Sequence, residues 1–598
     1  MNIVERQTTI PLPIPNRILP NWEKWDWNQI IWRNVEKRVF NLQKRIYKAT
    51  KSGQRKKALS LTKLLMRSSS AVLLGIRRVT QDNQGKRTAG IDGKKYLTPV
   101  QRRHLAVELM RMARNRWKGY KSLPIRRKFV PKPNGKQRPL GIPIQKDRVV
   151  QYVVKAAIEP FWEAEFGPES YGFRPAMGTH DAIGDIFYSV NQKHKWVLDA
   201  DIKGCFDNID HQFILNKITK HGKPLIKQWL KRGVMDGEIL TRTEMGTPQG
   251  GIISPLLANI ALDGMESYLR YKLSESYNQR TTNALKVIRY ADDFVVVHED
   301  LEIIHKAKEY LVEWLKVRFF TFSHDKTKIV STGRDGFDFL GFEVKQYSIE
   351  SRKKSGHYKR TLPKKQAKSR KDFKVLIKPS KKAIKKHKEK IASVFEQKKA
   401  AKQDQLIERL NPIIKGWANY YKGAVSSQVF AKLDHYVWQK AYRWAKRRHP
   451  SKSKHWIVDK YFGTFKREQN GSIRSSQRKW WFASPENRIM LHADTRIKRH
   501  IKVRKGKSYY DGDTEYWAQR LSNGYDNISP SKAKLLREQE GKCPVCNGAL
   551  KNIDLMETHH ERSFIRKGVD YVLALLHRHC HDLIHGKYGT RDVASKRE

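Results

Sequence analysis

The sequence predicts a multidomain α+β protein, and three observations carry that prediction. The chain has 598 residues, more than one hydrophobic core holds, so about three to five domains are expected. Its texture runs from helical spacing, through short β-prone runs broken by Pro and Gly, back to helical spacing. Three of its four cysteines, Cys543, Cys546 and Cys580, crowd the C-terminal end beside several histidines, while Cys205 stands apart.

Charge points to the partner. There are 121 Lys and Arg against 59 Asp and Glu, a formal charge of +62, in a chain that is 39% hydrophobic and carries 16 Trp, 24 Tyr and 22 Phe. That apolar content is unlike a disordered basic tail or a ribosomal or histone-like packing protein, so a folded binder of nucleic acid is expected. No apolar run approaches the roughly 18 residues of a membrane span, and "MNIVERQTTIPLPIP" lacks a charged-then-apolar secretory pattern. A soluble intracellular protein with no membrane partner is expected, its C-terminal cysteines in a metal site rather than in disulfides.

The elements follow in order. From Trp22 to about Thr80, "IIWRNVEKRVFNLQKRIYKAT" and "ALSLTKLLMRSSSAVLLGIRRV" place apolar residues three and four apart, which predicts a helical extension over 1–90. From about Gly90 to Val344, runs such as "RKFVPKPNGKQRPLGIPI" and "KWVLDADIKGCFDNID" predict an α+β catalytic body over 91–345. Residues 351–390 hold 18 Lys and Arg against two acids, a basic linker suited to a phosphate backbone. Helical texture from about Leu406 to Phe462 carries Trp417, Tyr420, Tyr421, Trp438, Tyr442 and Trp444 among basic residues. With the linker it makes a nucleic-acid-binding unit over 346–490. A second basic segment, "TRIKRHIKVRKGK", falls within 491–531, and a Cys/His-rich unit occupies 532–598.

The first candidate site lies in "IRYADDFVVV", 288–297. Two β-prone runs flank a small Ala and the pair Asp292 and Asp293, which predicts strands joined by a tight turn. A structural turn favours Asn-Gly or Asp-Gly, so stacked negative charge suits a cation; an acidic surface hairpin is the alternative these letters leave open. In "WVLDADIKGCF" the side chains of Asp199 and Asp201 share a strand face, with Asp201 at the strand end before Gly204 and Phe206. Acids bridging two divalent ions are what joining nucleotides requires: one ion acidifies the attacking 3′-hydroxyl and the other stabilises the pyrophosphate. Asp201, Asp292 and Asp293 fit those roles. "PKPNGKQRP" sets Lys132, Lys136 and Arg138 about a Gly-containing turn as a triphosphate clamp, and paired glycines after Gln249 allow close approach to a base pair.

The order of these blocks resembles reverse transcriptases, most closely those encoded in group II introns. The resemblance is carried by "TAGIDG", "GKQRPLGIPIQKDRVVQ", "YGFRP", "DIKGCFDNID", "GTPQGGIISPLLANI", "RYADD", "DKTKI" and "FDFLGF", in the family's order over roughly the first 345 residues. It implies a right-hand polymerase with fingers and an antiparallel palm sheet. It also implies catalytic acids Asp201, Asp292 and Asp293, with Mg2+ held at Asp201, Ile202 and Asp292. Lys132 and Arg138 then bind the dNTP triphosphate, Phe206 is the gate that excludes a 2′-hydroxyl, and Gln249 lies near the nascent pair. "LNPIIKGWANYY", "FAKLDHYVWQKAYRWAKRRHP" and "WIVDKYF" resemble the helical thumb and maturase region that grips intron RNA.

At the C-terminal end, Cys543, Cys546, His577 and Cys580 make a closed four-ligand set, as structural Zn2+ needs. His559, His581 and His585 remain for a second divalent metal with open positions, His581 and His585 being one helical turn apart, and His560 is free to act as general base. The pattern resembles small ββα-metal HNH endonucleases, but Val572 stands where that family carries the Asn that braces the catalytic His. A degenerate zinc-stabilised DNA-binding unit is the alternative. Together these imply an intron-encoded RNA-directed DNA polymerase, splicing maturase and DNA endonuclease acting on intron RNA and target DNA, in bacterial cytoplasm or an organellar matrix. A splicing cofactor with an unused polymerase, or a reverse transcriptase recruited to a host system, are the competing expectations.

Overall fold

The computed structural model describes residues 25–585, except 132–134, 136, 237–238, 242–244, 248–249, 350–371, 465, 470–471, 476–480, 525–527, 529, 552–555 and 566–567. For 466–469, 472–475, 530, 560–565 and 568–572 the backbone alone is described. Residues 22–24, where the first helical pattern opens, therefore lie outside.

Helices Trp32–Lys51, Arg55–Met66 and Ser69–Arg77 form the N-terminal region. Their packing continues past residue 90. Helix Pro99–Arg114, opened by a Thr98/Gln101 capping box, packs on Ser69–Arg77, and the long helix Gln145–Glu165 packs on all three N-terminal helices. One hydrophobic core runs from Trp27 through Leu65, Val79 and Leu109 into Val153, Leu198 and Phe294. The predicted extension is thus continuous with the body, because the apolar stripes of its helices face the body helix rather than one another alone.

The strands of the body are β1 (Ile125–Pro131), β2 (Gln137–Ile142), β3 (Trp196–Asp201), β4 (Val234–Asp236), β5 (Ile239–Thr241), β6 (Lys286–Tyr290), β7 (Asp293–His298), β8 (Lys328–Ser331), β9 (Phe337–Phe339), β10 (Phe342–Ser348) and β11 (Phe373–Pro379). One four-stranded sheet has the order β2-β1-β4-β5; a second, antiparallel throughout, has the order β6-β7-β3-β8. Side chains alternate across the second sheet. Leu198, Ala200, Phe294 and Val296 enter the core shared with the N-terminal helices, while Val197, Val295 and Val297 enter a second core with Phe337, Phe342 and Tyr421.

The basic stretch 351–390 is a linker in part at most. Among its described residues, Phe373–Pro379 is β11, paired along its whole length with β10, and Lys381 opens the helix Lys381–Gln397. Burial of Phe373, Val375 and Ile377 on alternate positions explains the strand within a Lys-rich window. Helices Lys381–Gln397, Gln403–Tyr421, Ser427–Arg448 and Lys454–Tyr461 then build a third core.

From Thr495 to Lys507 the second basic segment crosses helix Thr179–Val190 without regular secondary structure, turning at 505–506. Buried Asp181 accepts bonds from His500 Nε2 (3.0 Å), the Val503 amide (2.8 Å) and Arg520 Nη2 (3.2 Å). The other flank exposes Arg496, Lys498, Arg499, Arg504 and Lys505. The C-terminal unit is a hairpin, Met556–Ile565 with Gly568–His577, followed by helix Arg578–Ile584. It sits on the N-terminal helices: Arg578 Nη1 donates to the Asp82 carbonyl (3.2 Å), and the His579 ring meets Trp32 edge on. Among the described residues no single helix is long and apolar enough to cross a membrane; the bent pair Arg55–Met66 and Ser69–Asp82 lies largely in the first core.

Candidate active site and metal clusters

Register puts the acids together. In the antiparallel pair of β3 and β7, Asp201 stands opposite Asp293, and in the pair of β6 and β7 Tyr290 stands opposite Asp293. The turn is therefore two residues long, Ala291 and Asp292, with Ala291 left-handed at φ 59°. Gly172 lies against it: a Cβ there would come within 2.4 Å of the Ala291 nitrogen.

Burial and crowding raise the carboxyls. Asp293 is pushed up to about 7 by burial, by its hydrogen bond with Asp201 and by the Asp292 charge. Asp292 is raised by burial and Asp201, against the pull of Lys326 and Arg138. Lys326 Nζ donates to Asp201 Oδ2 at 2.7 Å, which raises the lysine in turn. Asp199, on the same face, is raised to about 6 by burial despite Lys328. Carboxylates are the donor chemistry of a hard divalent cation; Asp201 and Asp293 share a hydrogen bond here, with Asp292 on the adjoining turn. The side chain of Ile202 is buried, and its amide donates to the Asp292 carbonyl (3.4 Å), so only its own carbonyl is left to meet an ion.

The predicted substrate residues surround this point in part. Arg138 lies exposed on β2 opposite Val130. Phe206 is half-buried and meets Phe173 edge on, and its carbonyl accepts from the Thr247 amide at 2.7 Å. Lys132, Lys136 and Gln249 lie outside the described residues; beside Gln249, a Cβ on Gly250 would come within 2.4 Å of the Gly141 carbonyl of β2. Two residues near the acids carried no assigned role in the sequence: Lys326, within "DKTKI", and Arg289, within "RYADD". Lys326 reaches Asp201 from 125 residues away in the chain, while Arg289 lies three residues before Asp292 but turns its side chain to Asn259 and the Ala291 carbonyl.

Two further clusters form at the C-terminal end. The ligand atoms of Cys543, Cys546, His577 and Cys580 all lie within 4.8 Å of one another, as do those of His559, His581 and His585. Cys546 Sγ is 3.4 Å from His577 Nδ1, while His577 Nε2 faces the Ala549 carbonyl at 3.3 Å and so fixes the ring. A Cβ on Gly548 would sit 3.2 Å from Cys546 Sγ, which keeps the knuckle tight. Three thiols and an imidazole at this spacing suit tetrahedral zinc. In the second cluster His559 Nδ1 and His585 Nε2 are 3.2 Å apart. The His560 side chain lies outside the described residues; its backbone pairs with Leu573, and that of Val572 pairs with Glu561.

Comparison with known proteins gives the class. Residues 130–344 match the family model of reverse transcriptase (RNA-dependent DNA polymerase), 27–109 that of the N-terminal domain of reverse transcriptase, and 384–462 that of the group II intron maturase-specific domain. Protein YkfC of Escherichia coli (strain K12) is 33% identical over 331 residues, covering 49% of this chain and 84% of that one. Group II intron-encoded protein LtrA of Lactococcus lactis subsp. cremoris is 30% identical over 310 residues, 41% of this chain and 50% of LtrA. A putative COX1/OXI3 intron 2 protein of Saccharomyces cerevisiae is 26% identical, over 39% of this chain and 33% of its own length. A telomerase structure from Candida tropicalis aligns at TM-score 0.29 and 15% identity over 38% of this chain and 53% of that one, and bears no weight. The chain belongs to the group II intron-encoded reverse transcriptase and maturase family, with a reverse transcriptase domain and a maturase-specific domain. The three family models leave 463–598 unmatched.

Proposed function

We propose that the chain is a multifunctional group II intron-encoded protein: RNA-directed DNA polymerase, intron-splicing maturase and site-specific DNA endonuclease, serving intron mobility by target-primed reverse transcription. The observation that carries the polymerase reading is the register of Asp201 against Asp293 with Asp292 on the two-residue turn. In this reading the sheets at 91–345 are fingers and palm. Asp201 and Asp292, with the Ile202 carbonyl, hold Mg2+, which when bound supplies charge to acidify the primer 3′-hydroxyl and to offset the pyrophosphate. Asp293 accepts a proton or shares one with Asp201, Arg138 and Lys132 draw in the triphosphate, Phe206 closes the space beside C2′, and Gln249 lines the nascent pair.

The helices within 346–490 act as thumb and maturase surface. Lys388 and Lys440 lie over the half-buried Tyr436 ring at 5.1 and 5.6 Å. Cations set on rings suit RNA, whose phosphates take the charge and whose unpaired bases stack. The segment 491–531 offers its exposed arginines and lysines to target DNA. In 532–598 the Cys/His set holds structural Zn2+, His559, His581 and His585 hold a second divalent metal, and His560 activates water to cut the strand whose 3′ end the polymerase extends. Such a protein works in bacterial cytoplasm or an organellar matrix.

Primer extension on an RNA template with dNTPs and Mg2+ tests this, beside Asp292→Ala. Incorporation abolished by the substitution supports the polymerase. A wild-type protein that binds intron RNA tightly yet extends nothing would instead mark a splicing cofactor with an unused polymerase.

A further inference from the structure

The turn that carries Asp292 is held from behind by a buried guanidinium. Arg289 is 1% exposed. Its Nη1 donates to the Ala291 carbonyl at 3.1 Å and to Asn259 Oδ1 at 3.2 Å, and Asn259 Nδ2 donates to the Gly172 carbonyl at 2.8 Å. Gly172 is the residue whose missing Cβ lets its segment lie on the Ala291 amide. The backbone of Arg289 is fixed as well, its amide donating to the Glu169 carbonyl (2.8 Å) and its carbonyl accepting from the Tyr171 amide (2.9 Å).

The charge of Arg289 is spent elsewhere. The carboxylates that act on it are Glu169 and Asp263, whereas Asp292, raised first by burial, feels the charges of Asp201, Lys326 and Arg138. Its side chain therefore reaches the acids through main-chain geometry. An alanine at φ 59° is disfavoured because its Cβ crowds the following carbonyl, so the turn keeps that shape when bonds from outside hold it.

We propose that Arg289 and Asn259 are positioning residues that lock the left-handed Ala291 turn and thereby set where Asp292 faces Asp201. This rests on the reading of Asp201 and Asp292 as metal-holding acids. Lysine at 289 keeps the charge but loses the planar fork. Asn259→Ala removes both the acceptor for Arg289 and the donor to Gly172.

The test is steady-state primer extension at varied Mg2+ and varied dNTP, with thermal unfolding of each variant. Arg289→Lys should raise the half-saturating Mg2+ by about tenfold, as loss of a ligand-orienting group does, and lower kcat with little change in KM for dNTP. Asn259→Ala should move both quantities the same way. Adding Ala291→Gly to Arg289→Lys should restore part of the Mg2+ affinity, since glycine takes the left-handed turn without the Cβ penalty. An unchanged Mg2+ requirement with only a lower melting point would reduce Arg289 to a packing role, and a double variant no better than the single would overturn the lock. Asn259→Ala carries the same expectations should Arg289→Lys not fold. Asp292→Ala separates the two ideas: activity surviving in it sinks the metal-site reading itself, whereas its inactivity beside a normal Mg2+ profile in Arg289→Lys sinks this inference alone.

Discussion

Phe173 meets Phe206 edge to face, ring centroids 6.0 Å apart and planes at 77°, with Phe173 itself in the left-handed region at φ 61°. Residue 173 belongs to the loop after Gly172, and residue 206 follows β3, so the contact joins two segments that both border the acids. An edge-to-face pair fixes the more buried ring laterally while leaving its own face uncovered by the partner.

The proposed gate gives the first prediction. Phe206→Ala should lower discrimination against ribonucleotides by at least about tenfold, because an apolar wall that excludes one hydroxyl is worth an order of magnitude or more. Phe173→Ala should weaken it less, by loosening the ring. Competing dNTP and rNTP incorporation, expressed as a ratio of kcat/KM, reads this; equal ratios in wild type and Phe206→Ala would remove Phe206 from the gate.

Metal removal gives the second. Three thiols and His577 converge under a hairpin whose own apolar core is small, built on Leu535, Leu536, Leu575 and Leu576. A unit of that size depends on its metal for folding, where binding is worth on the order of 10 kcal/mol. Cys543→Ser should cut bound zinc to near zero and make 532–585 sensitive to protease, while Cys205→Ser leaves zinc content unchanged. Full zinc occupancy in Cys543→Ser would exclude this ligand set.

Much of the site was legible in the sequence, and for identifiable reasons. A tight turn at Ala291 and the Asp pair follows from the β-prone runs on both sides, although Asp293 proves to open β7, and the Cys/His set follows from short Cys and His spacings. What stayed hidden depends on long-range pairing. The bond from Arg289 to the Ala291 carbonyl needs Asn259 and Gly172, which lie 30 and 117 residues away in the chain. β11 was masked by the lysines around Phe373, Val375 and Ile377, and the helices before residue 90 gave no sign that their apolar stripes belong to the same core as Val153. The basic run after Thr495 showed charge but not the buried Asp181 to which its backbone is tied.

Val572 bears on the third prediction. The hairpin register sets it opposite Glu561, one position from His560. His560→Ala should abolish nicking of a DNA duplex while primer extension persists, since no chemistry in the polymerase site uses it. Val572→Asn should raise the nicking rate by supplying the side-chain hydrogen bonds that valine lacks. A wild-type protein that binds duplex DNA but cuts none in Mg2+, Mn2+ or Zn2+, and gains nothing from Val572→Asn, would leave a zinc-stabilised binding unit.

The last prediction concerns acid stability of the maturase helices. His387 is buried, stacks on Trp417 with ring centroids 4.6 Å apart, and its Nε2 lies 2.8 Å from Nε2 of His492, whose Nδ1 is bonded to Asp434 Oδ1 at 2.7 Å. Burial, with the neighbouring His492 and Lys390 charges, pushes His387 down to about 3 from 6.5. In the unfolded chain the same ring protonates near pH 6.5, so between there and about pH 3 the unfolded state binds the extra proton. Stability from neutral His387 is therefore complete above pH 6.5 and falls with acidification by up to about 1.4 kcal/mol per pH unit. His387→Gln should flatten the fall in urea midpoint between pH 7 and pH 4.5, although the variant is less stable at pH 7 for want of the stack on Trp417. Parallel pH profiles for wild type and variant would show that another group governs the acid limb.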